Sequence, residues 1–360
     1  MATICLNMIV KNEANTIRRC FDSLKSIIDY WVIVDTGSTD GTQEIIRSFT
    51  AEVPGELHER PWVNFGHNRT EGMQLADGKA DYLLLMDADN ALRIVDPHCK
   101  QSLTADAYHL QILGSVVYWQ TRLVKSGLQW HSVGVTHEYP HSLKAQSWER
   151  LEALQIVDYF DGGARDDKYE RDIRLLTQGL IDEPNNERYI FYLAQSYRQL
   201  NELEKAIEWY EKRVAAGGWR EEVWLSLYSI GQLHMQKNAD ESTVLKAMIA
   251  AYEYDPSRCE PLYELCRYYR MQERYHLGLV FGLRAIQIAY PEEAMNFVVR
   301  GIYDWMRYDE LSVCEYWTGD YTASARHAAH CLGKTNFAER ERIQKNLEFA
   351  LQKLAPLEEK

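Results

Sequence analysis

Asp81-Tyr-Leu-Leu-Leu-Met-Asp-Ala-Asp-Asn90 is the stretch on which the fold of this 360-residue chain turns. Tyr82 to Met86 is a continuous apolar run of strand length, the pattern of a strand buried on both faces of a parallel sheet. It ends in Asp87 and Asp89. Side chains two apart on an extended chain face the same way, so both carboxylates can address one point. Parallel sheets bind ligands beyond the carboxyl ends of their strands. Two hard oxygen donors there suit a divalent cation that also holds a diphosphate. Capping of the following turn is the plain alternative for either acid.

Working outward, Thr3 to Val10 is a first apolar strand that ends in Lys11-Asn12-Glu13. Ile17, Cys20, Phe21, Leu24, Ile27 and Ile28 follow at helical spacing, with Asn15 or Thr16 placed to cap. Trp31 to Val34 is a second strand running into Asp35-Thr-Gly-Ser-Thr-Asp-Gly-Thr42, after which Ile45, Ile46 and Phe49 continue as a helix. Strand and helix in alternation predict a parallel sheet with right-handed crossovers. The short side chains of the Asp35 turn let a ligand approach the backbone, and Asp35 can accept a hydrogen bond from a base N–H. Ser38, Thr39 or Asp40 can cap the helix at the same time.

Met8-Ile-Val-Lys-Asn-Glu13, Val34-Asp-Thr-Gly-Ser-Thr-Asp-Gly-Thr42 and Met86-Asp-Ala-Asp89 together resemble the family-2 glycosyltransferases of the GT-A fold, in order and in spacing. The resemblance implies that Asp35 reads the uracil ring of a nucleotide-sugar, that Glu13 lies by the nucleoside, and that Asp87 and Asp89 hold the metal and diphosphate. Related enzymes often carry an aromatic residue and an Asn-Arg pair near the nucleotide, matched here within Arg60-Pro-Trp-Val-Asn-Phe-Gly-His-Asn-Arg69. Arg69 is then a candidate for neutralising phosphate or stacking on the base. A surface salt bridge is the alternative for Arg69 and the favoured reading of Arg60.

After Asn90 the pattern turns antiparallel. Ala107 to Leu113 and Ser115 to Val124 read as strands, with Lys125-Ser-Gly127 as a hairpin turn. Val133 and Val135 alternate with Gly134 and Thr136, so a strand is expected to deliver His137 and Glu138 to its end. Similar transferases end their catalytic domain in a His-Glu pair. By chemistry, His137 would complete a Mn²⁺ site begun by the two aspartates, and Glu138 would deprotonate the acceptor hydroxyl. Adjacent residues on a straight strand face opposite ways, so this pairing requires a bend. His131, Asp158 and Asp161 are rival bases. The paired glycines and charges of Asp161-Gly-Gly-Ala-Arg-Asp-Asp-Lys168 mark the domain junction, giving a transferase domain over 1–165 and a helical domain over 166–360. Arg165 there either closes over phosphate or belongs to a solvated linker.

From Tyr169 the chain reads as helical. Ile190, Leu193, Ala194, Tyr197, Ala206, Tyr210 and Gly218 follow the tetratricopeptide (TPR) pattern, and Leu262, Leu265, Cys266, Tyr269, Gly278 and Ala285 repeat it. A copy between them begins near Trp224, with an irregular turn at Lys237-Asn238-Ala239. A weaker copy spans Tyr308 to Cys331, and Glu339 to Leu354 is expected to cap the stack. The whole is a GT-A α/β domain followed by an all-α TPR solenoid.

The net charge of −13 argues against nucleic acid and anionic membrane as partners. No apolar run approaches a membrane span, and the N-terminus lacks the regions of a signal peptide. Cysteines 5, 20, 99, 259, 266, 314 and 331 form no Cys-x-x-Cys pair and read as reduced core residues, so a cytoplasmic protein is expected. The resemblance implies an inverting glycosyltransferase of hexosyltransferase type using a UDP-sugar with Mn²⁺, favoured over Mg²⁺. Its acceptor would be a peptide, protein or glycan, for which the repeat groove offers a place although the aromatic residues at repeat positions read first as core, and the repeats offer a route to a homo-oligomer. The alternatives are a non-catalytic TPR scaffold with a degenerate transferase domain, and a nucleotidyltransferase. The latter usually wants a Gly-rich phosphate loop at the first strand, and Met8 to Glu13 contains no glycine.

Overall fold

Alternation along the first strand sets the two layers that cover the sheet. Ile4, Leu6, Met8 and Val10 of β1 (Ile4–Val10) are buried in one apolar cluster, whereas Cys5 joins a second one. The computed structural model describes residues 1–49, 51–114, 117–162, 167–294, 298–335 and 337–355. The first cluster takes α1 (Ile17–Leu24) and α2 (Thr42–Phe49), with Phe21 stacked on Phe49 at 4.1 Å. The second takes Met73 and Ala76 of α3 (Phe65–Ala76), a helix capped by the Asn64 side chain accepting from the His67 N–H at 2.8 Å. β2 (Tyr30–Asp35), β3 (Gly55–Glu59) and β4 (Tyr82–Leu85) lie parallel to β1 in the order β3-β2-β1-β4. All four residues of β4 are buried, as its apolar run requires.

Beyond β4 the sheet continues through β7 (Tyr118–Lys125), β6 (Ala107–Leu113), β10 (Trp148–Asp158) and β5 (Asn90–Ile94). β7 runs antiparallel to both β4 and β6, and β10 parallel to β6. The expected strand 115–124 is thus displaced to 118–125, with Ser115 and Val116 outside the described residues. Lys125-Ser-Gly127 does turn the chain, Gly127 having φ +82°, but it joins no hairpin. The next strand, β8 (His131–Val133), pairs with β9 (Tyr139–His141), in a separate two-stranded sheet.

The chain divides into two compact units, Met1–Asn201 and Glu202–Lys360. The expected junction at 165/166 falls among residues 163–166, outside the described residues. Helices α4 (Lys168–Asp182) and α5 (Glu187–Gln199) belong to the first unit, where they supply contacts to the bend between β8 and β9. Thr136 donates to buried Asp172 at 3.1 Å, and Tyr189 packs against Gly179, itself beside Val135.

In the second unit, α6 (Leu203–Ala216) packs on α7 (Arg220–Gln236), α7 on α8 (Glu241–Tyr254), α9 (Glu260–Met271) on α10 (Tyr275–Ala285), and α11 (Arg307–Thr318) on α12 (Tyr321–Leu332). α9 also meets α11, and α11 meets the last helix, α13 (Phe337–Leu354), which begins two residues before the expected Glu339. Contact between every second helix is the pattern of stacked helical hairpins. Glycines stand where helices cross closely: a Cβ on Gly282 would lie 2.9 Å from both Cys266 Sγ and Leu311. The turn at Lys237–Ala239 holds Asn238 at φ 52° before Asp240 caps α8. All seven cysteines are buried free thiols, and no helix among the described residues is long and apolar enough to cross a membrane.

Candidate active site

The carboxyl ends of β1, β2 and β4 converge, and short polar side chains lace them together. Asn12, in the left-handed region at φ 58°, gives its N–H to Ser38 Oγ and accepts from the Thr39 N–H, both at 2.9 Å. The Glu13 N–H reaches Thr42 Oγ1 at 2.8 Å, and Asp40 accepts from the Ala14 N–H at 3.0 Å and the Thr42 hydroxyl at 2.6 Å. Among the expected caps, it is Asp40 that fastens the start of α2.

Asp35 is 1% exposed at the end of β2. Its Oδ1 accepts from the Gly37 and Ser38 N–H groups at 2.9 Å and from Gln43 Nε2 at 3.1 Å, while its buried Oδ2 has no hydrogen-bond partner among the described residues. A buried acceptor left unmatched beside a ligand-sized turn is suited to an N–H brought by a ligand.

Glu13 and Asp89 come together across Gly162, where a Cβ would lie 3.0 Å from Asp89 Oδ2 and 3.3 Å from Glu13 Oε1. The Gly162 N–H donates to Asp89 Oδ2 at 3.3 Å, and Thr16 donates to Glu13 Oε2 at 2.7 Å. Arg19 ties this corner down. It donates to the Asp89 carbonyl at 3.0 Å and grips Asp161 with both terminal nitrogens. Asp161, a rival base, is thereby a structural partner. Asp158 caps its own turn, accepting from the Phe160 N–H at 2.9 Å.

Asp87 sits between two guanidiniums. Arg69 Nη2 holds Oδ1 and Arg122 Nη2 holds Oδ2, the latter at 3.1 Å. Burial would push the Asp87 carboxyl up, but the two arginines outweigh it and hold it well below the usual carboxylate range. Arg69 also donates from Nε to Glu138 Oε1 at 2.5 Å, so one guanidinium bridges Asp87 and Glu138. Arg69, Asp87 and Glu138 are therefore one cluster. Arg122 is a member that sequence reasoning missed. An arginine in the alternating segment Tyr118–Lys125 carries no signal separating it from a solvated strand face.

His137 is not part of this cluster. The chain turns at Gly134 (φ +113°) and again at His137 itself (φ 51°), so no strand delivers the His-Glu pair. The turn sends Glu138 to Arg69 and the imidazole the other way. The ring stacks on Tyr192 at 3.9 Å, and its Nε2 lies 3.4 Å from Asp172 Oδ2. Its carbonyl accepts two N–H groups of Arg188, at 2.9 and 2.7 Å. The left-handed turn thus aims His137, expected as a third metal ligand, at α4 and α5 and away from Asp87. His131 lies edge-on to His141, and Arg60 makes a surface pair with Glu71 at 2.6 Å. Arg165 lies outside the described residues.

Among the described residues no three His, Cys, Asp or Glu side chains gather as a metal site. Asp87 and Asp89 still fit a hard divalent cation by donor chemistry. Mg²⁺ and its kin commonly take one or two carboxylates and fill the remaining positions with substrate phosphate and water.

A model of glycosyl transferase family 2 matches residues 5–158. The chain is 26% identical over 237 residues to the SPbeta prophage-derived glycosyltransferase SunS of Bacillus subtilis, covering 59% of this chain and 53% of SunS. It is 36% identical over 93 residues to a TPR repeat-containing protein of Synechococcus elongatus, covering 26% of this chain and 22% of that one. The chain thus spans about half the length of SunS and about a fifth of the Synechococcus protein. Among solved structures, TarS of S. aureus superposes with a TM-score of 0.41 at 15% identity, over 67% of this chain and 54% of TarS. The converging strand ends lie within residues 5–158, the part of the chain that matches glycosyl transferase family 2.

Proposed function

We propose that the protein is a metal-dependent, inverting glycosyltransferase that takes its sugar from a UDP-sugar and gives it to a hydroxyl or other nucleophile on a peptide, protein or glycan. The observation that carries the donor reading is Asp35 Oδ2, a buried carboxylate oxygen without a hydrogen-bond partner among the described residues. Uracil offers an N3–H to such an acceptor, whereas cytosine offers a bare ring nitrogen at the same position. Glu13 would lie by the nucleoside, and Asp87 and Asp89 would hold the metal. A bound Mn²⁺ or Mg²⁺ supplies charge neutralisation for the departing diphosphate.

The chain's own residues then divide the work. Arg69 stabilises the leaving group with a planar fork that matches phosphate oxygens. Glu138 is the proposed base. It shares Arg69 with Asp87, so a guanidinium drawn toward diphosphate releases the carboxylate that must accept the acceptor proton. Seven buried, unpaired thiols suit a reducing compartment, the cytoplasm.

Calorimetric titration of UDP, CDP and GDP with Mn²⁺, Mg²⁺ or chelator tests the donor reading, and NMR of the product anomer tests inversion. Asp87→Asn and Asp89→Asn are each expected to remove metal-dependent UDP binding and to slow turnover at least ~100-fold, equivalent to about 2.7 kcal/mol. Normal turnover in either variant would refute the metal assignment.

A further inference from the structure

We propose that Arg122 is a diphosphate-binding residue for which Asp87 acts as a place-holding counter-ion, so that cation and donor diphosphate bind cooperatively by exchanging partners. This rests on the transferase reading and adds to it a residue and a thermodynamic coupling.

Four charged groups make up the cluster: Arg69 and Arg122 against Asp87 and Glu138. Their formal charges cancel. The side chains of Arg69, Arg122 and Glu138 are 18%, 14% and 12% exposed, so an unmatched charge there is costly. Arg69 has two acids, Asp87 and Glu138. Among the described residues Arg122 has one, Asp87.

Arg122 is nevertheless held in place without Asp87. Its Nε donates to Gln120 Oε1 at 3.0 Å, and its Nη1 reaches the Leu85 carbonyl, the last residue of β4, at 3.4 Å. The guanidinium therefore stays at the end of β4 whichever anion faces it. That is the strand end where the family-2 domain is proposed to hold a diphosphate.

A cation that takes Asp87 competes with both guanidiniums for the same two oxygens. Taken alone, it leaves Arg122 with no anion. A diphosphate taken alone meets a carboxylate already seated on the arginines that should receive it. When both arrive, Asp87 turns to the cation and Arg122 to a phosphate oxygen, and every charge is matched again. The planar fork of arginine suits either partner bidentately, which lysine does not.

The test uses the full chain, with free Mn²⁺ followed by its electron spin resonance signal and UDP binding by calorimetry. In the parent protein Mn²⁺ alone should bind weakly. UDP should tighten it at least ~10-fold, and Mn²⁺ should tighten UDP by the same factor, as linkage requires. Arg122→Gln should move the two affinities in opposite directions: Mn²⁺ alone binds several-fold tighter, UDP with Mn²⁺ several-fold weaker, and the coupling factor falls toward one. Arg122→Lys keeps the charge and loses the fork. Its Mn²⁺ affinity should match the parent's while UDP weakens, and this variant decides the matter if Arg122→Gln proves unfolded in a thermal melt. An Arg122→Gln that weakens both ligands, or leaves the coupling factor intact, overturns the exchange alone. A parent protein that binds no UDP in the presence of Mn²⁺ overturns the transferase reading and the exchange with it.

Discussion

Replacing Asp35 with Asn separates the fold of the β2 turn from its use. In the same rotamer the amide oxygen stands in for Oδ1 and keeps its bonds from Gly37, Ser38 and Gln43. The amide nitrogen then takes the place of Oδ2, which has no hydrogen-bond partner among the described residues. Folding stability should therefore change by less than ~1 kcal/mol, since three neutral bonds persist and a buried charge is removed. Donor binding should not survive so well. The variant loses a charge-assisted bond worth roughly 1.5–3 kcal/mol and sets an N–H against the uracil N3–H. The combined loss of about 3 kcal/mol corresponds to roughly a hundredfold in Kd for UDP. CDP, whose N3 accepts, should lose nothing, so the preference for UDP over CDP shrinks or inverts. Parallel calorimetric titrations with both nucleotides, backed by thermal unfolding, measure all three quantities. A variant that keeps its UDP affinity, or loses UDP and CDP alike, would refute the base-reading role.

Gly66→Ala should destabilise the first unit by about 1–3 kcal/mol, read as a lower Tm, because the new Cβ would stand 2.1 Å from the Gly134 carbonyl oxygen. A fragment ending at residue 201 should be soluble and bind UDP with Mn²⁺. One ending at 165 should aggregate, since it strips away the helices that cover Thr136 and His137; monodisperse behaviour of the shorter fragment in gel filtration would contradict this. Acid stability should depend on Glu56, whose pKa is lowered from 4.5 to about 2 by Lys79, Tyr30 and His58. A depressed carboxylate contributes stability that is complete above its unfolded pKa and lost as pH falls through the folded one. Glu56→Gln should therefore be less stable than the parent at pH 6, with the difference fading between about pH 4.5 and 2 in a series of thermal melts.

Strands buried on both faces were legible because apolar residues dominate them; Asn7, the polar exception in the first, gives its side-chain amide to the Val32 and Gly72 carbonyls. Ile4–Val10, Tyr30–Asp35 and Tyr82–Leu85 all announce themselves in this way, and the acids at and beyond their ends mark the proposed site. The strands Gly55–Glu59 and Trp148–Asp158 do not. Glu56 and His58 lie within the first, and Glu149, Arg150 and Glu152 interrupt the second, whose first three residues are exposed. Backbone pairing, which leaves no trace in hydropathy, makes them strands. The fate of His137 was hidden for a different reason. A non-glycine residue in the left-handed region is not advertised by its neighbours, and the ring's direction depends on Asp172 and Tyr192, thirty-five and fifty-five residues further on. Arg122 shares that opacity: its partner is Asp87, just beyond the end of the neighbouring strand. The helical spacing after Tyr169 was plain, but helix and unit boundaries are different things. The pattern that identifies α4 and α5 as helices says nothing of the Thr136 hydroxyl and Val135 side chain they cover.

The seven thiols have a practical consequence. Burial pushes Cys5 and Cys331 up to about 12 and Cys259 to about 11, so at these three positions the folded protein offers an electrophile no ready thiolate. Any alkylation at neutral pH must then wait for a breathing event that bares the sulfur. Cys5, Cys20 and Cys99 lie in the first unit, and Cys259, Cys266, Cys314 and Cys331 in the second. Mass spectrometry of alkylated peptides would thus time the opening of each unit on its own clock, with reporters the chain already carries.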